Sequence, residues 1–277
     1  MIEVALTIAG SDSGGGAGIQ ADLKTFAFHC VHGSSAITCI TAQNTVGVTE
    51  VAAMDESMVL AQISAVANDL KVGAVKTGML LNSEIIKTVA EAIDRFDLKQ
   101  LVVDPVMVSR AGVQLIDDGA IALLKRRLIP QAIIVTPNRY EAEILSGLPI
   151  NTLEQLKQAA IAIVEDLGAK VVLVKGGGLS DSNRGTDIWY DGKEVKILSQ
   201  KTVPTSNTHG TGCTLSAAIC ANLALKKDLW SSVVTAKKYV TTALEHSLDI
   251  GAGSGPVGHF YPLLKSQPDR SIDKTDS

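Results

Sequence analysis

Short runs of aliphatic, often β-branched residues alternate along this chain with longer stretches of helical periodicity, and this alternation constrains the fold more than any other feature. Val4 to Ala9, Ala36 to Thr41, Val72 to Lys76, Leu101 to Val106, Ile133 to Val135 and Val171 to Val174 each read as a buried strand. Amphipathic segments lie between them: Ile19 to Cys30, a stretch from Asp55 to Leu70, Ile85 to Phe96, Ile116 to Leu128, a helix opening near Asn138, and Leu153 to Leu167. Asp55, and Asn82 or Ser83, stand where N-caps belong. Strand, helix and strand in succession build parallel pairs through right-handed crossovers. The pattern therefore predicts a three-layer α/β/α sandwich, with a mostly parallel central sheet and helices on both faces. Aromatic residues make up only 4% of the chain, so the core must be Val, Ile, Leu and Ala, the usual filling of such a sheet.

The period changes near 186–199, where Ile188-Trp189-Tyr190 and Val195-Lys196-Ile197 flank Asp191-Gly192 and predict a small β-hairpin. Two helices follow, Leu215 to Leu225 and Leu229 to His246. Neither a repeat nor a linker interrupts the chain, which predicts a single domain over 1–265; the polar, non-periodic segment 266–277 is expected to be a disordered tail.

A net charge of −4 offers no general attraction to nucleic acid or to an anionic membrane. No apolar run approaches the length of a membrane span, and the first residues lack the regions of a signal sequence, so the expected setting is the cytoplasm. Cys30, Cys39, Cys213 and Cys220 are spaced too irregularly for a zinc site. Three of them, Cys30, Cys39 and Cys220, have apolar neighbours and are expected in the core.

Two glycine-rich stretches carry candidate chemistry. The first, Gly10 to Gly18, fails as a phosphate loop: Gly16-Ala17 stands where Lys followed by Ser or Thr is required. It fails as a dinucleotide fingerprint as well, because Ile19 occupies the third glycine position. It remains a candidate pocket lining beyond the first strand. The second, Thr208-His209-Gly210-Thr211-Gly212-Cys213-Thr214, precedes a helix and would turn unpaired N–H groups and the positive end of the helix dipole toward an anion. In open α/β sheets ligands bind beyond the carboxyl ends of the strands, where Asp12, Gln43, Thr77, Asp104, Asn138, Glu141 and Lys175 gather. Asp104 and Glu141 are candidates to hold Mg²⁺, a hard ion that uses few carboxylates, and Lys175 to offset phosphate charge. The spacing of Asn138 and Glu141 fits a capping box equally well.

The motifs together bear a family resemblance. Ala-Gly-Ser-Asp-Ser-Gly-Gly-Gly-Ala-Gly-Ile-Gln-Ala-Asp at 9–22, Thr-Ala-Gln-Asn-Thr at 41–45, Lys-Thr-Gly-Met at 76–79, Val-Asp-Pro-Val-Met at 103–107, Thr-Pro-Asn at 136–138 with Glu141, Val-Lys-Gly-Gly at 174–177 and His-Gly-Thr-Gly-Cys-Thr at 209–214 run collinearly. They strongly resemble the hydroxymethylpyrimidine/phosphomethylpyrimidine kinases of thiamine biosynthesis, members of the ribokinase-like superfamily. The resemblance implies phosphorylation of 4-amino-5-hydroxymethyl-2-methylpyrimidine and then of its monophosphate, with ATP as co-substrate and Mg²⁺ as metal. It implies that Gln43 reads the aminopyrimidine edge, with Gly10, Asp12, Met79 and Val106 on the substrate side. Lys175, Asn138, Thr186 and His209 would serve the nucleotide, Asp104 and Glu141 the metal, and Gly210, Thr211, Gly212 and Cys213 the transferring phosphoryl group. It also implies a homodimer.

Sugar kinases of the superfamily end the last motif in an aspartate that acts as general base, whereas this chain has Cys213. A helix N-terminus lowers a thiol's pKa, so thiolate character is expected there. A thiolate would serve the first phosphorylation, of an alcohol, more than the second, whose nucleophile is already a phosphate oxygen. Three rivals are weighed: pyridoxal kinase activity, disfavoured by Gln43 but compatible with dual use; a non-catalytic small-molecule sensor, disfavoured by the retention of Asp104, Lys175 and the glycines; and a dehydrogenase, disfavoured by the failed fingerprint.

Overall fold

The computed structural model describes residues 2–108, 114–179 and 185–265. Its elements alternate as the periodicity requires: β1 (Val4–Asp12), α1 (Gly18–Phe28), β2 (His32–Gln43), β3 (Val48–Ala53), α2 (Glu56–Asp69), β4 (Val72–Thr77), α3 (Ser83–Arg95), β5 (Leu101–Val103) and α4 (Asp118–Leu123) in the first half. The second half contains β6 (Ile134–Val135), α5 (Arg139–Ser146), α6 (Leu153–Leu167), β7 (Val172–Val174), β8 (Thr186–Tyr190), β9 (Val195–Ser199), α7 (Thr211–Ala224), α8 (Leu229–Glu245) and α9 (Tyr261–Lys265).

All nine strands form one sheet in the order β3-β2-β1-β4-β5-β6-β7-β8-β9. The six central strands are parallel; β3 at one edge and β8–β9 at the other are antiparallel. Side chains alternate between two cores. Leu6, Ile8, Val75, Val103, Val135 and Val172 face the layer containing α2, α3, α5 and α6, whereas Ala5, Ala74, Val102, Ile134 and Leu173 face α1, α7 and α8. Burying apolar side chains on both faces of every central strand is what makes their sequences continuous Val/Ile/Leu runs.

A fully buried ion pair crosses between layers. Lys76 on β4 extends toward α1 and places Nζ 2.8 and 2.7 Å from the two carboxylate oxygens of Asp22, which also accepts a 2.6 Å hydrogen bond from Thr7 Oγ1. Both charged side chains are fully buried. Burial disfavours the ammonium, but the charges of Asp22 and Asp104 more than compensate and raise its pKa.

The structure departs from the sequence expectations at several points. Strand β3 was hidden because all six of its residues are exposed, leaving no alternation to read. The single helix expected over 116–128 is broken into α4, a π turn at Leu124–Leu128 and a 3₁₀ turn at Ile129–Gln131, where Pro130 supplies no N–H to continue the ladder. The hairpin residues extend the main sheet, with Ile188 pairing both Val174 and Ile197. Cys30 is exposed at positive φ beyond the end of α1 rather than in the core, whereas Cys39 and Cys220 are buried. Helix α7 begins at Thr211, inside the glycine motif. No helix among the described residues is long and apolar enough to cross a membrane. The segment 266–277, expected as a tail, lies outside the described residues.

Candidate active site

The carboxyl ends of β1, β2, β4, β5, β6 and β7 lie side by side because these strands are parallel, so residues far apart in sequence emerge on one rim of the sheet. At the middle of that rim Asp104 leaves β5. Its backbone N–H is held by Thr77 O at 3.0 Å, and its carboxylate is buried. Lys175, one residue past β7, brings Nζ to 3.1 Å from Asp104 Oδ1. Thr136 Oγ1 donates to the same oxygen at 3.4 Å, and Ser216 Oγ on α7 lies 3.1 Å from Oδ2.

Glu141 stands beside this group. It is the third residue of α5 and closes the capping box expected from sequence: Asn138 Oδ1 accepts from Glu141 N at 3.0 Å, and Glu141 Oε2 accepts from Asn138 N at 2.8 Å. The two carboxyl groups differ in state. Burial and the charge of Asp104 push Glu141 up to about 7, against the opposing pull of Lys175. For Asp104 burial acts in the same direction, but Lys175 and Lys76 outweigh it and hold the group below its ordinary value. The Asn138 and Met107 N–H groups also pull Glu141 toward its ionised form, the state that would hold a cation.

The N-terminus of α7 completes the centre. Gly210 has φ 78°, and a Cβ there would overlap the Gly16 carbonyl, so only glycine permits this close approach of the two glycine loops. No side chain caps the helix, leaving first-turn N–H groups turned outward. Lys175 Nζ lies over that turn, 3.3 Å from where a Cβ of Gly212 would stand. Cys213 is half-buried in the same turn. The thiolate expectation fails here: burial, with the charges of Asp104 and Asp22, pushes the thiol up to about 11, and Lys76 offsets this only in part. Desolvation outweighs the nearby positive charge.

On the β1–β2 side, Gly10 packs so closely that a Cβ would come 2.7 Å from Cys39 Sγ and 3.0 Å from Met79 Cε. Gly10 and Met79 thus meet over Cys39. Gln43 ends β2, and Val106 follows the Asp104-Pro105 turn with its N–H on Asp104 O at 2.9 Å. Three residues that the resemblance assigned to substrate or nucleotide have polar partners within the protein. Asp12 is consumed by its own loop, accepting N–H bonds from Gly14, Gly16 and Ala17 at 2.8, 3.0 and 2.8 Å. Its carboxyl is held low, because these bonds and the His209 ring outweigh burial. His209, expected beside the nucleotide, has its Nε2 2.9 Å from Asp12 Oδ2 and 3.3 Å from the Gln43 amide. Thr186 opens β8 with its hydroxyl 3.1 Å from Ser199 Oγ. Sequence reasoning missed Ser216 and Thr136; both are small hydroxyl residues in apolar surroundings, which carry no signal until the fold brings them to Asp104.

The donor set fits Mg²⁺. Among the described residues no group of three or more His, Cys, Asp or Glu side chains is arranged to hold a metal ion, so Asp104 and Glu141 would share the ion with water and phosphate oxygens, as this metal prefers. A buried carboxyl held near 7 beside a carboxylate is a place where a cation would discharge strain.

Comparison with known proteins agrees with this geometry. A family model described as phosphomethylpyrimidine kinase matches residues 12–258. A hydroxymethylpyrimidine/phosphomethylpyrimidine kinase of Synechococcus elongatus is 55% identical over 263 residues, covering 95% of this chain and 99% of its own. An ADP complex of Bacillus subtilis pyridoxal kinase superposes with a TM-score of 0.89 at 37% identity, covering 95% of this chain and all of that one. A phosphomethylpyrimidine kinase from Clostridium difficile 630 superposes with a TM-score of 0.78 at 42% identity, covering 88% of this chain and all of that one. A buried carboxylate pair, a lysine over a glycine-opened helix and a match across nearly the whole chain lead to one conclusion: the chain belongs to the phosphomethylpyrimidine kinase family.

Proposed function

We propose that this chain transfers a phosphoryl group from ATP to the hydroxymethyl oxygen of 4-amino-5-hydroxymethyl-2-methylpyrimidine, and then a second to the resulting monophosphate. The observation that carries this reading is the position of Lys175, between the Asp104 carboxylate and the uncapped first turn of α7. Phosphoryl transfer passes through a loose transition state whose charge spreads over non-bridging oxygens, so catalysis is positioning and neutralisation. The N–H groups at Gly212 and Cys213 and the Lys175 ammonium supply both on one side. Asp104 and Glu141 would hold Mg²⁺, which neutralises phosphate charge when bound. Burial disfavours the Lys175 ammonium, but Asp104 and Glu141 more than offset this and keep it charged.

On the other side Gly10 and Met79 offer a flat, apolar surface to a ring, and the Gln43 amide can both donate to and accept from an aminopyrimidine edge. ATP as nucleotide is supported by the ADP complex of the structurally similar pyridoxal kinase. That same similarity favours a second reading, a side activity on pyridoxal. A homodimer acting in the cytoplasm is part of the proposal by family resemblance.

Purified protein with Mg²⁺-ATP and the pyrimidine alcohol should release ADP and yield mono- and diphosphate products by mass. Lys175→Ala should slow both steps by about 10²–10³, the cost of losing one preorganised charge at the transition state. Absence of both phosphorylated products would overturn the reading.

A further inference from the structure

His209 belongs to the motif that opens α7, yet its ring is turned away from that helix. It packs on Gly16, where any Cβ would overlap it, and its backbone is fixed by bonds of 3.1 Å from its N–H to Gly255 O and 3.3 Å from Val257 N to its carbonyl. The ring is 14% exposed, and its Nε2 lies 2.9 Å from Asp12 Oδ2. Oδ2 also accepts the Gly16 and Ala17 N–H groups, so it is an ionised acceptor and Nε2 must carry the proton.

This protonation fixes a second side chain. Gln43 Nε2 lies 3.3 Å from the same His209 nitrogen, a donor against a donor. At the other end of the amide, Thr41 Oγ1 lies 3.2 Å from Gln43 Oε1, yet its single proton is already given to Ser11 O at 2.9 Å. Turning the amide by a half-rotation resolves both conflicts at once. The one His209 Nε2–H is then bifurcated, its shorter arm to Asp12 Oδ2 at 2.9 Å and its longer, weaker arm to Gln43 Oε1 at 3.3 Å, and the amide nitrogen donates to Thr41 Oγ1. Amide orientation is assigned by such networks, since oxygen and nitrogen occupy the same positions. In this orientation one N–H and one oxygen lone pair remain free, a fixed donor–acceptor pair.

We propose that His209 is a positioning residue that determines substrate specificity, its Asp12-anchored N–H holding the Gln43 amide in the one orientation that suits an aminopyrimidine edge. The inference rests on the reading of Gln43 as the ring-recognising side chain. An amide free to flip presents the wrong pattern half the time and is disordered in plane. A pinned amide recognises a ring that offers an amine beside a ring nitrogen and penalises one that does not.

The test compares kcat and KM on the pyrimidine alcohol and on pyridoxal for the wild type, His209→Phe, His209→Gln, Gln43→Ala and the Gln43→Ala/His209→Phe double variant. Phe keeps a ring against Gly16 but has no N–H, whereas the Gln amide can return an N–H near the position of Nε2. His209→Phe should raise KM for the pyrimidine about tenfold, more than it lowers kcat, and shift the kcat/KM ratio toward pyridoxal by a similar factor. His209→Gln should recover most of that loss, and the double variant should be no worse than Gln43→Ala alone. Equal losses on both substrates, or additive losses in the double variant, would overturn the proposal and assign His209 to the phosphate loop. If Gln43→Ala shifts the substrate ratio while His209→Phe does not, the inference about His209 fails alone. If Gln43→Ala leaves the ratio unmoved, the reading of Gln43 itself fails.

Discussion

Two side chains at the centre of the site behave differently from their free forms. Cys213 combines a helix N-terminus with burial, and burial prevails, leaving a thiol with a pKa of about 11. A neutral thiol can orient a hydroxyl but cannot take its proton, so Cys213→Ala should slow the first phosphorylation by about tenfold rather than the 10²–10⁴ expected of a lost base. Assaying both steps separately checks this; a thousandfold loss confined to the first would restore the thiolate. Glu141 carries the clearer pH signature. An unfolded chain releases this proton near the ordinary value of 4.5, whereas the folded protein retains it to about 7. The penalty is thus absent below the lower value, grows between the two and is complete above the upper one. A shift of that size corresponds to about 3 kcal/mol at most. Glu141→Gln retains a capping side chain and removes the charge. In metal-free protein it should therefore raise the melting temperature at pH 8, show little effect near pH 4.5 and impair the kinase reaction. Thermal melts at both values decide it, and equal stability at pH 8 would show that Glu141 bears no such penalty.

What the chain reveals about its elements depends on whether burial leaves a pattern. Helices α2, α3, α5 and α6 were legible because each pairs an apolar stripe with a side-chain cap: Asp55, Asn82, Asn138 and Thr152 all accept a first-turn N–H. Strand β3 was illegible because it buries nothing, and its place at the sheet edge is held by backbone bonds to β2. Helix α7 posed a different difficulty. Its residues from Thr214 to Ala224 are buried on every side, so no amphipathic stripe marks its start. Its first turn is Thr-Gly-Cys, which reads as loop by propensity. The start of this helix is fixed instead by tertiary contact between Gly210 and Gly16, and that contact leaves the uncapped helix end that we propose receives the phosphoryl group.

At the scale of the whole molecule, the parallel sheet makes the site legible and its wiring illegible. Strand-end position alone collected Asp104, Glu141, Lys175 and Gln43, because a parallel sheet brings the ends of successive strands to one rim. Which of them touch was not readable: Asp12 satisfying its own loop, His209 bonded to Asp12 and Ser216 reaching Asp104 all depend on loop conformations fixed by long-range packing. The rim also has two halves, a charged one built from β5, β6, β7 and α7 and a more apolar one built from β1 and β2 that we propose receives the ring. Both exist only in the folded chain, so any ligand of either stabilises the whole molecule by mass action. Mg²⁺-ADP at a hundred times its Kd should add about 2.7 kcal/mol, a rise in Tm of roughly 5–10 °C for a chain of this size. Lys175→Ala should abolish most of that rise while keeping the shift produced by the pyrimidine alcohol. Gln43→Ala should do the reverse. Differential scanning fluorimetry with each ligand reads both halves separately, and a Lys175→Ala protein that loses both shifts together would show that the rim binds as a single unit.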